Sequence, residues 1–226
     1  MRRLFTILSC LLIGIYIFAQ KDVTKFLGIP VDGPKSEMIT KLKAKEFTLK
    51  RVGGSEVLNG RFNGVDVNVY ISTENGNVAR IMVCDAEMVD ETNIKIRFNN
   101  LCRQFNNNGK YMRSPDFTIS EGEDISYEML VNNKRYEAIF YQLPEGKTIK
   151  DIQEELLSQI KEIYTPEQYQ NLTDEEQTKL IAEYSLPLLD KPYNRPVWFI
   201  IAQEYDKYYI TMFYDNEYNR AQGQDL

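Results

Sequence analysis

The chain has 226 residues, with 27 basic and 33 acidic groups, three cysteines, one tryptophan and no histidine. Without imidazole there is no Ser-His-Asp or Cys-His catalytic pair, no HExxH zinc site and no histidine pH switch. A formal charge of −6 argues against nucleic-acid binding, which needs a clustered cationic surface, while 43% apolar residues are enough for a packed core.

The N-terminus reads as an export signal. Arg2 and Arg3 precede an uncharged run of sixteen residues, from Leu4 to Ala19. Ile17 and Ala19 stand at −3 and −1 of a signal-peptidase cut, so residues 1–19 are expected to be removed and Gln20 to become the N-terminus. The run falls short of the ~20 residues a helix needs to cross a bilayer, and Lys21, Asp22 and Lys25 follow it. No membrane span is then expected in the mature chain. Cleavage removes two arginines and Cys10, leaving 25 basic against 33 acidic groups, a charge of −8, and two cysteines, Cys84 and Cys102. In an oxidising compartment these two form a possible disulfide; the alternative is two small buried thiols.

Residues 33–47 read as a helix, with Pro34 suited to its first turn and Met38, Ile39 and Leu42 on one face. Asn63-Gly64 separates strands at 57–62 and 65–72, because both residues accept positive φ. Val65, Val67, Val69 and Ile71 alternate with Asp66, Asn68, Tyr70 and Ser72, which buries one face and wets the other. Asn75-Gly76 leads into a third strand at 78–84. A second helix spans 90–106, with Ile94, Phe98, Leu101 and Phe105 in one stripe and Asn106-Asn107-Asn108-Gly109 at its end. Residues 110–124 read as a loop.

A further hairpin is expected from 126–131 and 135–142 around Asn132-Asn133. Pro144-Glu145-Gly146 ends it. Thr148 and Asp151 resemble a capping box before an amphipathic helix carrying Ile149, Ile152, Leu156, Ile160 and Ile163. Thr165-Pro166 interrupts that helix, and another spans 173–184. Pro187, Pro192 and Pro196 mark a connector. The last hairpin comprises 197–203 and 208–214. Its strands are apolar at nearly every position, which reads as strands covered on both faces and central in the sheet.

The motifs exclude more chemistry than they suggest. Gly53-Gly54, Gly60 and Gly64 lack phosphate-loop spacing and lie between strands. The acidic groups Asp85, Glu87, Asp90, Glu91 and Glu121, Glu123, Asp124 lack calcium-loop spacing, so neither a metal nor a cofactor is expected. No catalytic residue stands out, although a carboxylate pair for glycoside hydrolysis needs no fixed spacing. Two binding features remain. Residues 35–51 carry a net +4 and residues 147–190 a net −6, which offers Glu154, Glu155 and Glu162 as a partner-binding face. Tyrosines crowd the C-terminal hairpin, and Tyr193, Tyr205 and Tyr208 offer stacking faces and hydroxyls to a glycan or peptide.

The phrase Lys25-Phe26-Leu27-Gly28-Ile29-Pro30-Val31-Asp32-Gly33, followed by Lys35-Ser36-Glu37-Met38 and Lys41-Leu42-Lys43-Ala44-Lys45, resembles a group of uncharacterised secreted proteins of Bacteroidetes-type gut bacteria. The ending Tyr214-Asp215-Asn216 with residues 219–226 is similar to the same group's C-terminus. That family usually has Gly where Glu46 stands, as a helix C-cap. The resemblance implies export and one shared architecture. At the level of fold, Phe26 and Gly28 before a short helix and a strand meander resemble β-lactamase-inhibitor-protein and BamE-like domains, which implies a non-enzymatic binder.

The expected protein is a single α+β domain over 20–226. It has one largely antiparallel sheet of about seven or eight strands, helices on one face and a helical excursion at 147–190. Its expected function is that of an exported, non-catalytic binding protein, in the periplasm, at the cell surface or outside the cell. The partner is a protein or an envelope component, and a carboxylate-dependent hydrolase of glycans or envelope polymers is the alternative.

Overall fold

The computed structural model describes residues 22–112, 116–177, 179–180 and 194–219. The expected leader at 1–19, Tyr193, Pro187 and Pro192 lie outside them. The fold is α+β, with a two-stranded and a seven-stranded sheet, the latter antiparallel throughout in the order β3-β4-β5-β6-β9-β8-β7.

A small hairpin opens the described chain, β1 (Lys25–Phe26) against β2 (Ile29–Pro30). Helix α1 (Lys35–Lys43) follows, shorter than expected, with Pro34 one residue outside it at the N-cap and Met38 and Leu42 buried. Its C-terminus folds back, Phe47 N–H donating to the Leu42 carbonyl (3.2 Å) and Glu46 N–H to that of Lys43 (3.0 Å). This is a Schellman cap, whose C′ residue must be left-handed. Glu46 occupies it at φ +70°.

The meander has four strands where the sequence suggested three: β3 (Thr48–Val52), β4 (Ser55–Phe62), β5 (Val65–Glu74) and β6 (Asn77–Asp85). Each connection has two consecutive residues at positive φ, Gly53-Gly54 (57°, 84°), Asn63-Gly64 (50°, 82°) and Asn75-Gly76 (50°, 83°). Such turns twist with the strands they join. Strand β3 escaped the sequence pattern because it is an edge strand, and its exposed Lys50 and Arg51 break the alternation. Gly60 in β4 is needed for packing. A Cβ there would lie 2.6 Å from the ring of Phe47, which is buried.

Helix α2 (Glu91–Asn107) starts at Asp90, whose side chain accepts from Asn93 N–H. Residues 125–131 depart from the expected hairpin: they form helix α3 (Ile125–Val131). Asp124 caps its start by accepting from Tyr127 N–H. Asn132 has φ −98° and only Asn133 is left-handed (52°), so the pair ends a helix instead of forming the two-residue turn a hairpin needs. Strand β7 (Glu137–Tyr141) exists, but its partner is β8 (Pro196–Glu204), which pairs in turn with β9 (Lys207–Asp215). The C-terminal hairpin therefore lies inside the sheet, with β9 joining the meander to the β7–β8 pair.

Cross-strand register assigns the two faces. Leu58, Val69, Val83, Met212, Phe199 and Ala138 form one row, and all belong to the main core. The α2 stripe Ile94, Phe98, Leu101, Cys102 and Phe105 belongs to the same core. Phe98 meets Phe199 edge-on (5.2 Å between centroids) and Phe105 stacks on Phe140 (4.7 Å).

The helical excursion has clusters of its own. Helix α4 (Ile149–Ile163) starts at the expected Thr148–Asp151 capping box, and α5 (Pro166–Gln170) starts at a second, Thr165–Gln168. Thr173 and Glu176 make a third reciprocal pair ahead of helical residues 174–177 and 179–180. Leu156, Ile160 and Leu180 form a cluster with Tyr164, Tyr169 and Leu172, while Leu143, Ile152, Met112 and Ile149 seat the unit on the body.

Candidate functional site

The residues singled out from sequence do not converge. Tyr205 sits at the tip of the β8–β9 hairpin, 90% exposed and left-handed (φ 56°). Tyr208 is 2% exposed, with its hydroxyl 2.5 Å from Ser126 Oγ, which donates to Glu91 Oε2 (2.5 Å). It pins α3 and α2 to the hairpin and offers no face to a ligand. Glu154, Glu155 and Glu162 lie on α4, where Lys150 pairs with Glu154 (3.5 Å) and Lys147 with Glu155.

The disulfide is not formed, and Cys84 and Cys102 are free thiols. Cys84 alternates with the core residue Val83 and so points from the other face of the sheet, where its Sγ is 3.6 Å from Thr211 Oγ1. Cys102 is buried in the core beneath α2. The sheet separates the two, and burial pushes the Cys102 thiol up to about 12.

The face opposite the helices carries a stripe of its own. Following register across the strands, Tyr70, Met82, Phe213, Trp198 and Ile139 form one continuous row, and Val57, one residue before the β4–β5 ladder begins, extends it on β4. None of the six belongs to the three apolar clusters, although Val57 and Phe213 are themselves buried. Tyr70, Met82 and Trp198 are half-buried and Ile139 is exposed. A polar-out sheet face would alternate with the core face; this row is apolar across six of the seven strands, while the rows beside it carry Asn59, Asn68 and Thr211 on one side and Ser72, Arg80 and Asp215 on the other.

The stripe is most ordered around Trp198, the chain's one tryptophan. Its indole stacks on Phe213, with centroids 3.9 Å apart and planes at 16°. Its Nε1–H donates to Asp215 Oδ2 (2.9 Å). Asp215 is 5% exposed and accepts a two-pronged bond from Arg80, Nε to Oδ1 (2.5 Å) and Nη2 to Oδ2 (2.9 Å). The Arg80 guanidinium also lies 5.0 Å from the Phe213 centroid and 5.5 Å from that of Trp198, a cation–π arrangement. Aspartate, arginine and two aromatic rings thus hold one another in place. At the β7 end the stripe opens into a cleft of about 420 Å³ lined by Arg80, Arg135, Glu137, Ile139, Tyr141 and Trp198, among others.

A larger cleft, of about 890 Å³, lies beside β1. Among the described residues, five of its six charged groups, all but Lys110, are held in ion pairs. Arg195 pairs with Asp22 (2.7 Å) and Lys25 with Glu145 (2.6 Å). The Gln142 amide clamps the Lys25 backbone at both N–H and carbonyl and also donates to Tyr111 Oη (3.1 Å). These bonds fasten the N-terminal hairpin to the loop after β7. Among the described residues, no group of three or more Asp, Glu or Cys side chains stands together to hold a metal, and no helix is long and apolar enough to cross a membrane.

Sequence reasoning missed Trp198, Phe213, Arg80 and Asp215. Their signal is the unbroken apolar run of the last hairpin, which predicts burial on both faces. In β9 that holds, since every residue from Ile210 to Asp215 is buried, whereas in β8 Trp198 and Ile200 stay half-buried on the outer face. No protein-family model matches this chain, and no curated protein or solved structure matches it.

Proposed function

We propose that this is an exported, non-catalytic binding protein of the cell envelope, and that its ligand docks on the open face of the sheet. The observation that carries the reading is the stripe through Tyr70, Met82, Phe213 and Trp198. Tyr70, Met82 and Trp198 are half-buried, Phe213 is buried behind the indole, and the centre of the row is held rigid by the Arg80–Asp215 network. Rigid aromatic anchors at a surface are what binding favours, because ordering costs little on association. In this reading residues 1–19 are a cleaved leader and the protein acts beyond the inner membrane. The resemblance to secreted Bacteroidetes-type proteins and to BamE-like binders supports the same class.

A glycan hydrolase is less well supported. Its general acid needs a carboxyl held above the usual range. Among the described residues, every carboxyl with a displaced pKa is displaced downward: Glu56, Asp90, Asp116, Glu123, Asp151 and Glu176, through hydrogen bonds and neighbouring cations.

Co-sedimentation of the purified protein with envelopes from the cells that make it tests the proposal. The wild type is expected to be retained, and the Tyr70→Ser, Trp198→Ala double variant to lose at least about tenfold, the equivalent of ~1.4 kcal/mol. Equal retention of both would sink the reading.

A further inference from the structure

We infer that the cleft at the β7 end of the open face is a saccharide site in which Trp198 is the stacking platform; this rests on the open face being the binding surface. The guanidinium of Arg80 is 5.0 and 5.5 Å from two ring centroids that are themselves only 3.9 Å apart. Those three distances put Arg80 on the Phe213 side of the indole plane. Phe213 and Arg80 therefore lie on one side of Trp198, and its other side faces Ile139, its register partner on β7, and the cleft that both residues line. The indole N–H is already bonded to Asp215, so what the ring offers a ligand is its π face.

An electron-rich ring face attracts the polarised C–H groups of a pyranose. The surroundings suit the rest of a sugar. Arg80 and Arg135 stand against Glu137, Asp215 and Glu217 around the cleft, a near balance of charge. Arg80 is bonded to Asp215 and Arg135 to Glu137 (3.2 Å). A charged ligand would have to break these pairs. A neutral polyol need not, because guanidinium and carboxylate keep spare donors and acceptors that match hydroxyls, which both give and accept hydrogen bonds. A cleft of about 420 Å³ is at the small end of the ~300–1,000 Å³ range of ligand pockets. It suits a short stretch of a chain whose remainder runs along the apolar row.

The single tryptophan makes the test direct. Its emission is followed while the purified protein is titrated with hexasaccharides of cellulose, xylan, mannan, chitin and amylose, and with a proline-rich peptide as a competing class. At least one sugar is expected to give a saturable shift. By calorimetry the same sugar should bind Trp198→Ala at least tenfold more weakly and Trp198→Phe by an intermediate amount. An Arg135→Ala, Glu137→Ala variant, changed only at the exposed rim, should also bind weakly while keeping the wild-type thermal melt. The inference is overturned if no sugar shifts the emission, if the peptide alone does so, or if Trp198→Ala and the rim variant bind sugar as the wild type does. If sugars fail while Trp198→Ala still lowers envelope retention, the saccharide site falls and the open-face reading stands. If retention is also unchanged, both fall.

Discussion

At the scale of single residues, most of the unusual backbone has a visible purpose. Glu46 is the exception in chemistry, though not in geometry. The Schellman cap of α1 needs a left-handed residue, and a side chain with a Cβ supplies it at φ +70°. A left-handed non-glycine residue costs about 1 kcal/mol. Glu46→Gly is therefore expected to stabilise the protein by roughly that amount, raising the melting midpoint by about 2–4 °C for a domain of this size. A thermal melt followed by circular dichroism checks it, and a fall in the midpoint would show that Glu46 makes a compensating interaction. Gly60 is the converse case. Its missing side chain is what lets Phe47 lie against β4, so the choice of glycine is dictated by a ring from another element.

Among the elements, the helical excursion stands apart. Helices α4 and α5 are started by capping boxes and packed on a cluster separate from the main core. Short helices are marginal alone, and their stability comes from the apolar face they bury. Ile160 is the most buried member of that cluster, at 1%. Ile160→Ala should cost about 2–5 kcal/mol, enough to open the excursion locally. The expected result in hydrogen exchange is lost protection over 149–180 with β5, β6 and β9 unchanged. Loss of protection in the sheet to the same degree would show that the excursion is part of the main cooperative unit. The acidic residues Glu154 and Glu155 are then best seen as the solvated, ion-paired face of this unit.

The whole molecule is organised by one sheet that acts as a wall. Helices α1 and α2 and the main core occupy one side, and the Trp198 stripe and Cys84 lie on the other. The wall keeps Cys84 and Cys102 apart, so two thiols are expected per mature chain in denaturant without reductant. Finding none would mean that the cysteines pair. In the native state Cys102 should be inert, because its thiol is held at about 12 and the thiolate is the nucleophile. The sign of the pH effect follows. An unfolded thiol titrates near ~8.5, below the folded value, so the contribution of the buried neutral thiol is full below that pH. It is then lost as pH rises through the folded value. Replacing Cys102 by Ala should flatten the alkaline limb of a stability–pH curve measured in urea.

What the sequence determined by itself was local. Consecutive residues that accept positive φ defined the Asn63-Gly64 and Asn75-Gly76 hairpins. The spacing of Ile94, Phe98, Leu101 and Phe105 defined α2, and Thr148 with Asp151 defined the start of α4. Each is set by steric and hydrogen-bonding demands within a few residues, so neighbouring letters suffice. Tertiary structure decided everything that depends on a distant partner. It left 125–131 free to be a helix because β7 pairs with β8, and it fastened that segment through Glu91, which accepts from Ile125 N–H and Ser126 Oγ. It placed β9 between β6 and β8, and it put the two cysteines on opposite faces. It also decided that Trp198 would stay half-buried on the outer face of the sheet, stacked on the buried Phe213. A strand's letters say which residues share a face; only the packing of the rest of the chain decides which face is covered.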